Sequence, residues 1–259
     1  MPAELRSTSH GTTLVLTLSH PELRNALEPS IYAAGIEALG SAERNPDVRC
    51  AVITGAQGTF SAGGNLQSLQ AQRAQGLQAP EESIRALHHW IEAIRTWPKP
   101  VIAAVEGTAA GAGFSLALAC DLIVAARNAR FAMAYTRVGL SPDGGASWSL
   151  ARALPRTLAA ELLLCGESVA AERLHALGVV NRLADPGSAL EAALALADTL
   201  AAGAPNALAS TKELLAEAEQ QPLSAQLDLE RAHFLRNLLH ANAGEGMAAF
   251  LQKRPPQYR

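Results

Sequence analysis

Short apolar runs alternate with stretches of helical period along the first two thirds of the chain. Thr13-Leu14-Val15-Leu16-Thr17-Leu18 reads as a strand or hairpin arm running into a turn at Pro21. From Pro29 to about Arg44, apolar residues at Ile31, Ala34, Ala38 and Leu39 recur at the spacing of a helix. Cys50-Ala51-Val52-Ile53-Thr54 and Val101-Ile102-Ala103-Ala104-Val105 are unbroken apolar segments, the mark of buried strands. A helix is predicted from Glu81 to Thr96, stopping before Trp97-Pro98-Lys99-Pro100, where each proline removes a donor and disfavours helix. The Ala/Leu run to Cys120 predicts a helix beginning at or just after Gly111, and Asp121 to Ala125 and Arg130 to Met133 read as further short strands. Residues 67–80, rich in Gln, Ala and Gly without a clean period, predict a mobile or frayed helical segment beside a ligand entrance.

Strands alternating with helices predict a layered α/β fold with parallel pairing. From about Ser188 the pattern is almost wholly helical, with Gly203, Pro205, Pro222 and Gly244 as punctuation. Residues 1–200 are therefore expected to form the core, and 201–259 a helical C-terminal module packed on that core or on another subunit.

Composition narrows the function classes. A net charge of -3 and a pI near 6.2 offer no electrostatic footprint for nucleic acid. The three cysteines, Cys50, Cys120 and Cys165, lie far apart in apolar stretches and are expected to be reduced core residues. No CxxC pair or Cys/His cluster proposes a metal site. The first residues carry no signal-peptide pattern, and no apolar stretch reaches membrane length, so a soluble cytoplasmic protein is expected.

Two glycine-bearing loops each follow a buried strand: Phe60-Ser61-Ala62-Gly63-Gly64-Asn65-Leu66 and Gly107-Thr108-Ala109-Ala110-Gly111-Ala112-Gly113-Phe114. Small residues after a strand let backbone approach a ligand closely and leave N–H groups free to point at it. One N–H from each loop could grip a single oxygen and stabilise negative charge developing on a carbonyl or thioester.

Other readings of the second loop are weaker. Gly111-Ala112-Gly113 lacks the third glycine of a dinucleotide fingerprint, since position 116 is Leu116, and no acidic ribose partner follows. No Gly-Lys-Ser/Thr exists for a P-loop. Gly113-Phe114-Ser115-Leu116-Ala117 approximates a nucleophile elbow, for which His175, His233 or His240 could supply the base, but Ser115 lies inside an apolar helical pattern. His88 and His89 are adjacent on a helix and diverge, so they form no metal pair. The segment from Tyr135 to Trp148 contains Ser141-Pro142-Asp143-Gly144-Gly145, where composition by itself favours a turn aspartate capping the next helix.

Taken together, these segments resemble the crotonase superfamily, the enoyl-CoA hydratase/isomerase group. Leu23-Arg24-Asn25-Ala26-Leu27, the first loop, Lys99 to Gly107, Gly111-Ala112-Gly113, Ala119 to Ala125 and the Gly139 to Gly145 turn carry the likeness almost end to end. The resemblance implies a spiral of ββα units, a C-terminal helical region used in assembly, and homotrimers or hexamers. It implies an oxyanion hole made by the N–H groups of Ala62 and Ala112. Coenzyme A, entering as part of an acyl-CoA substrate and not as a separate cofactor, would lie along Gly64, Asn65 and Leu66, with Leu23, Arg24 and Ala26 nearby. Gly111, Ser115, Tyr135 and Trp148 are expected to contact substrate, the last two lining the acyl pocket. Phe250 and Lys253 match a position that reaches a neighbour's CoA in some relatives.

The departures decide the expected chemistry. Where hydratases of the family carry two glutamates, this chain holds Ser115 and Tyr135, and neither is a base at neutral pH. A third family position does carry an acid, Asp143, as in relatives resembling enoyl-CoA isomerases and alternative-type oxepin-CoA hydrolases. Double-bond migration with Asp143 as acid/base is the expected reaction. Hydration, ring-opening hydrolysis, a serine hydrolase and a non-catalytic acyl-CoA-binding scaffold are the alternatives.

Overall fold

The computed structural model describes residues 3–218 and 220–259. Its strands are β1 (Glu4–His10), β2 (Thr13–Ser19), β3 (Cys50–Gly55), β4 (Val101–Val105), β5 (Thr108–Ala110), β6 (Leu122–Ala126), β7 (Arg130–Ala132), β8 (Ser168–Ala170) and β9 (Arg182–Ala184). The helices around the site are α1 (Pro29–Glu43), α2 (Leu66–Arg73), α3 (Gln78–Thr96), α4 (Ala112–Ala119), α5 (Ala146–Ala153) and α6 (Arg156–Ala160). They are followed by α7 (Ala171–Ala176), α8 (Ala189–Ala201), α9 (Pro205–Ala218), α10 (Leu223–Leu238) and α11 (Ala241–Leu251).

A β1–β2 hairpin opens the main sheet, and parallel strands extend it in the order β1-β2-β3-β4-β6-β9. A smaller sheet runs β5-β7-β8, and Ser61 joins it through a bridge to Ala109. The chain thus repeats one cycle: a strand in the large sheet, a short strand or bridge in the small one, then helix. β3, Ser61 and α2–α3 form one turn, β4, β5 and α4 the next, and β6, β7 and α5 the third. This is the ββα spiral that the resemblance implied.

The central strands are apolar throughout because α8 covers β3, β4 and β6 on one side while helices of the spiral cover the other. Between α1 and α3, Trp90 is fully buried and its ring lies 6.1 Å from that of Tyr32. The charged end of Lys212 on α9 reaches across to Asp121 at 2.8 Å and ties the C-terminal helices to the end of β4. The α10 and α11 surface leaves Phe234, Leu239, Phe250 and Leu251 exposed.

Three expectations need correction. Residues 66–73 are a formed helix and not a frayed segment: the Asn65 side chain accepts from the amides of Gln67 (3.0 Å) and Ser68 (3.2 Å), satisfying donors at its start. The next helix begins at Gln78, three residues before Glu81. Cys50 and Cys120 are buried, with burial pushing the Cys50 thiol up to about 12, but Cys165 is exposed. It ends a π-helical turn, Glu161–Cys165, just before Gly166 turns the chain at φ +61°, so its side chain faces out despite its apolar neighbours. Among the described residues no single helix is long and apolar enough to cross a membrane.

Candidate active site

The two glycine loops are knitted together by main-chain bonds. Ser61 donates to Thr108 O and accepts from Ala110 N–H, both at 2.9 Å. Asn25, fully buried, anchors the first loop from beneath: its Nδ2 donates to Ala56 O (2.8 Å) and Thr59 O (2.6 Å), and its carbonyl accepts from Ser61 Oγ at 2.8 Å. A Cβ on Gly113 would come within 2.7 Å of the Ser61 side chain, so only glycine permits this approach.

Which amides remain free is decided by this packing. The N–H of Ala62 donates to Arg24 O at 2.9 Å, and that of Gly63 to Ser61 Oγ at 3.1 Å. Ala62 therefore cannot be the first-loop donor, contrary to the expectation from sequence. Two residues on, the Gly64 N–H has no protein acceptor among the described residues, and Gly64 lines a cavity. Ala112 opens α4, so its N–H is one of the donors a helix start leaves unpaired, and it lines the same cavity. A Cβ on Gly63 would stand 3.3 Å from Ala112 N, which measures how closely the loops meet.

The cavity, about 220 Å³, is also lined by Asp143. The Asp143 carboxylate does not cap α5; Gly145 holds the N-cap position without a side-chain bond. Instead Asp143 Oδ1 accepts from the Tyr135 hydroxyl at 2.5 Å. Burial raises the Asp143 pKa above the ordinary carboxylate range, opposed by the Tyr135 hydrogen bond and by the charge of His88. Burial and the Asp143 charge push Tyr135 upward as well, so the phenol stays protonated and serves as a donor.

Substituting Tyr135→Phe removes a hydrogen bond to the charged form of Asp143, so the carboxyl pKa rises further. The acid limb of the kcat/KM profile is expected to move to higher pH. A limb that stays in place would detach Tyr135 from the titrating group.

The other sequence candidates divide. Ser115 is 1% exposed, and its Oγ donates to Asp143 O (2.9 Å) and lies 3.3 Å from Gly111 O. It is a pin between α4 and the Asp143 turn, and its hydroxyl is engaged by main-chain carbonyls, not poised as a nucleophile. The Gly111 N–H is engaged by Ala132 O at 2.9 Å, so this residue turns the chain into α4 and offers no donor. Trp148 does not line this cavity. Ala146 and Leu150 face the core from α5, which turns Trp148 to the other side, against the guanidinium groups of Arg95 (4.3 Å) and Arg152 (4.1 Å). It borders a separate cavity with Cys120 and Asp121.

Asn65 lines the cavity at the start of α2, and Leu66 beside it is 55% exposed. Leu23 and Arg24 form the tight turn whose carbonyl holds Ala62, and Ala26 is buried behind it. Phe250 and Lys253 stand exposed at the end of α11, outside the cavity lining. Glu28 and Tyr32, on and just before the first turn of α1, were not singled out from sequence, yet both line the cavity. The one available signal was a tyrosine beside Ile31 on the helix's buried side.

A pocket of paired backbone amides facing a half-buried carboxylate on a ββα spiral is the arrangement of crotonase-fold enzymes acting on thioesters. The Enoyl-CoA hydratase/isomerase family model matches residues 8–259. A crystal structure of an enoyl-CoA hydratase from Polaromonas sp. JS666 superposes with TM-score 0.98 at 65% identity, covering 98% of this chain and 99% of that one. A putative enoyl-CoA hydratase from Thermus thermophilus is 39% identical over 96% of this chain and 98% of its own length. The 1,2-epoxyphenylacetyl-CoA isomerase of Escherichia coli is 36% identical over 95% of this chain and 94% of its own. The chain belongs to the enoyl-CoA hydratase/isomerase family, and it is an acyl-CoA enzyme of that family.

Proposed function

We propose that this enzyme moves a carbon–carbon double bond in an unsaturated acyl-CoA, with Asp143 as the single proton carrier. The carboxylate takes a proton from the carbon α to the thioester of a β,γ-unsaturated substrate. The electron pair passes into the carbonyl as a dienolate, whose oxygen is held by the N–H groups of Gly64 and Ala112. The carboxylic acid then returns the proton at the γ carbon and leaves the α,β-unsaturated product. Each amide is worth about 2.7–4 kcal/mol of barrier by analogy with other oxyanion holes. The shuttle needs only groups of this chain, with CoA entering as part of the substrate.

The observation that carries the reading is that Asp143 lines the cavity of the two unpartnered amides, while both family glutamate positions are otherwise engaged. Ser115 bonds main chain, and Tyr135 donates to Asp143 itself. A water-adding enzyme of this family would need a second acid–base group at one of those positions. Around this centre, CoA is assigned to the surface of Leu23, Arg24, Asn65 and Leu66, with Ala26 buried behind it. Assembly into trimers or hexamers through α9–α11 would cover Phe234, Leu239 and Leu251, whose exposure supports it. Phe250 and Lys253 are assigned to that same interface, facing a neighbour's CoA.

A panel of enoyl-CoA and cyclic CoA thioesters assayed in deuterated buffer tests the proposal. Isomerisation is expected to place deuterium on carbon without net addition of water. Accumulation of 3-hydroxyacyl-CoA or of a ring-opened acid as the main product would replace it with hydration or hydrolysis.

A further inference from the structure

The cavity holds a second set of polar groups that the proton shuttle leaves unused. Tyr32 is 4% exposed, its ring held against Trp90, and it lines the cavity on the α1 side. Its hydroxyl has no hydrogen-bond partner among the described residues. At the cavity wall, a phenol without a protein partner can bond to a group bound there. Glu28, one helical turn earlier, lines the same cavity; its Oε1 accepts from Asn65 Nδ2 at 2.8 Å, and its Oε2 has no protein donor. Burial, and then the charges of Asp143 and Glu28, push the Tyr32 pKa upward. The phenol therefore stays protonated and remains a donor.

A donor and an acceptor four residues apart at the start of α1, lining one cavity, select for a group that is both. A hydroxyl accepts from the phenol and donates to the Glu28 carboxylate. A ketone would leave Glu28 facing another lone pair, a carboxylate would be repelled by Glu28 and Asp143 together, and a hydrocarbon would strand both polar groups. We propose that Tyr32 and Glu28 form a subsite for a hydroxyl group carried on the acyl chain, so that the preferred substrate is a hydroxylated acyl-CoA. This rests on the acyl-CoA reading of the cavity given above. A bound water would satisfy the same pair, and the experiment separates the two sources.

The test compares kcat/KM for short alkenoyl-CoA thioesters with that for partners bearing one hydroxyl, placed in turn on each carbon beyond the double bond. Wild type, Tyr32→Phe and Glu28→Gln are assayed side by side. Phe keeps the ring against Trp90 and Gln keeps an acceptor for Asn65, and circular dichroism with thermal denaturation checks that both variants fold. Wild type is expected to prefer one hydroxylated isomer by roughly 10–100-fold, the range for a hydrogen bond to a charged group. In both variants the preference should fall to within a few-fold. Equal kcat/KM for every pair in wild type overturns the proposal, as does a preference that survives Tyr32→Phe. A loss of equal size on both members of each pair points to a bound water and overturns it too. Deuterium exchange at the α carbon in Asp143→Asn keeps the two readings apart. Exchange that persists there removes the shuttle while a wild-type hydroxyl preference upholds the subsite; the reverse pattern removes the subsite alone.

Discussion

Asp143→Asn is expected to lower kcat for double-bond migration by about 10²–10⁴, with KM changed little. Asparagine occupies the same volume, and its Oδ1 can still accept from Tyr135, so the turn and the cavity wall stay in place. What it lacks is the ability to accept a proton, the step the proposed mechanism assigns to Asp143. Tyr135 is held protonated and Ser115 is bonded to main chain, so neither offers a bypass. The variant also carries a stability signature. The folded-state pKa of Asp143 lies above its unfolded value, so the folded state binds the proton more firmly and stability is lost as pH rises through that window. At neutral pH the ionised carboxylate opposes folding, and removing it should raise Tm. In acid, where both forms are neutral, the difference should shrink. A variant with wild-type kcat would show that the proton is carried elsewhere.

The same wall gives Ser115 and Tyr135 a shared task around Asp143. Tyr135 puts a donor behind the Asp143 carboxylate, at 2.5 Å. Ser115 fastens the turn that presents it. The three residues are joined by hydrogen bonds, and in the mechanism proposed Ser115 and Tyr135 support the acid on the loop.

Much of this was legible from residue types. Buried strands announced themselves as unbroken apolar runs, and the loops as small residues following them. Local pattern does not, however, report tertiary partners. Ala62 and Gly64 are equally plausible donors in a line of text, and only the approach of Arg24 O decides between them. Trp148 reads as a pocket aromatic because it follows Asp143 closely, but it stands two residues along α5 from core-facing Ala146, more than half a turn, and points toward Arg95 and Arg152. Tyr32 was hidden for the opposite reason. It belongs to a helix that looks like ordinary covering structure, and only the folded chain puts it on the same cavity as Asp143. Cys165 failed on exposure, since an apolar neighbourhood in sequence became a π-helical turn with an outer side.

Gly63→Ala should produce the second large effect, on kcat and stability together. Gly63 holds φ +92°, where an L side chain is strained, and an added Cβ would stand 2.6 Å from Ala110 O. That neighbour is backbone, itself bonded into the small sheet, so it cannot swing aside as a side-chain tip could. Relief must come from parting the loops, between the Gly64 and Ala112 amides that share the dienolate oxygen in the mechanism proposed. Misplacing one such donor is expected to lower kcat by about 10²–10³, and the strained backbone to cost about 1–3 kcal/mol of stability in urea unfolding. Gly11→Ala supplies the control. It places alanine at φ +56° in the β1–β2 turn with no atom within 4 Å, so it imposes backbone strain without moving either loop. Its stability should fall while kcat holds. If Gly63→Ala lost stability but kept kcat as Gly11→Ala does, the spacing of the two amides would not govern the reaction, and stabilisation of the oxygen would have to come from other groups in the cavity.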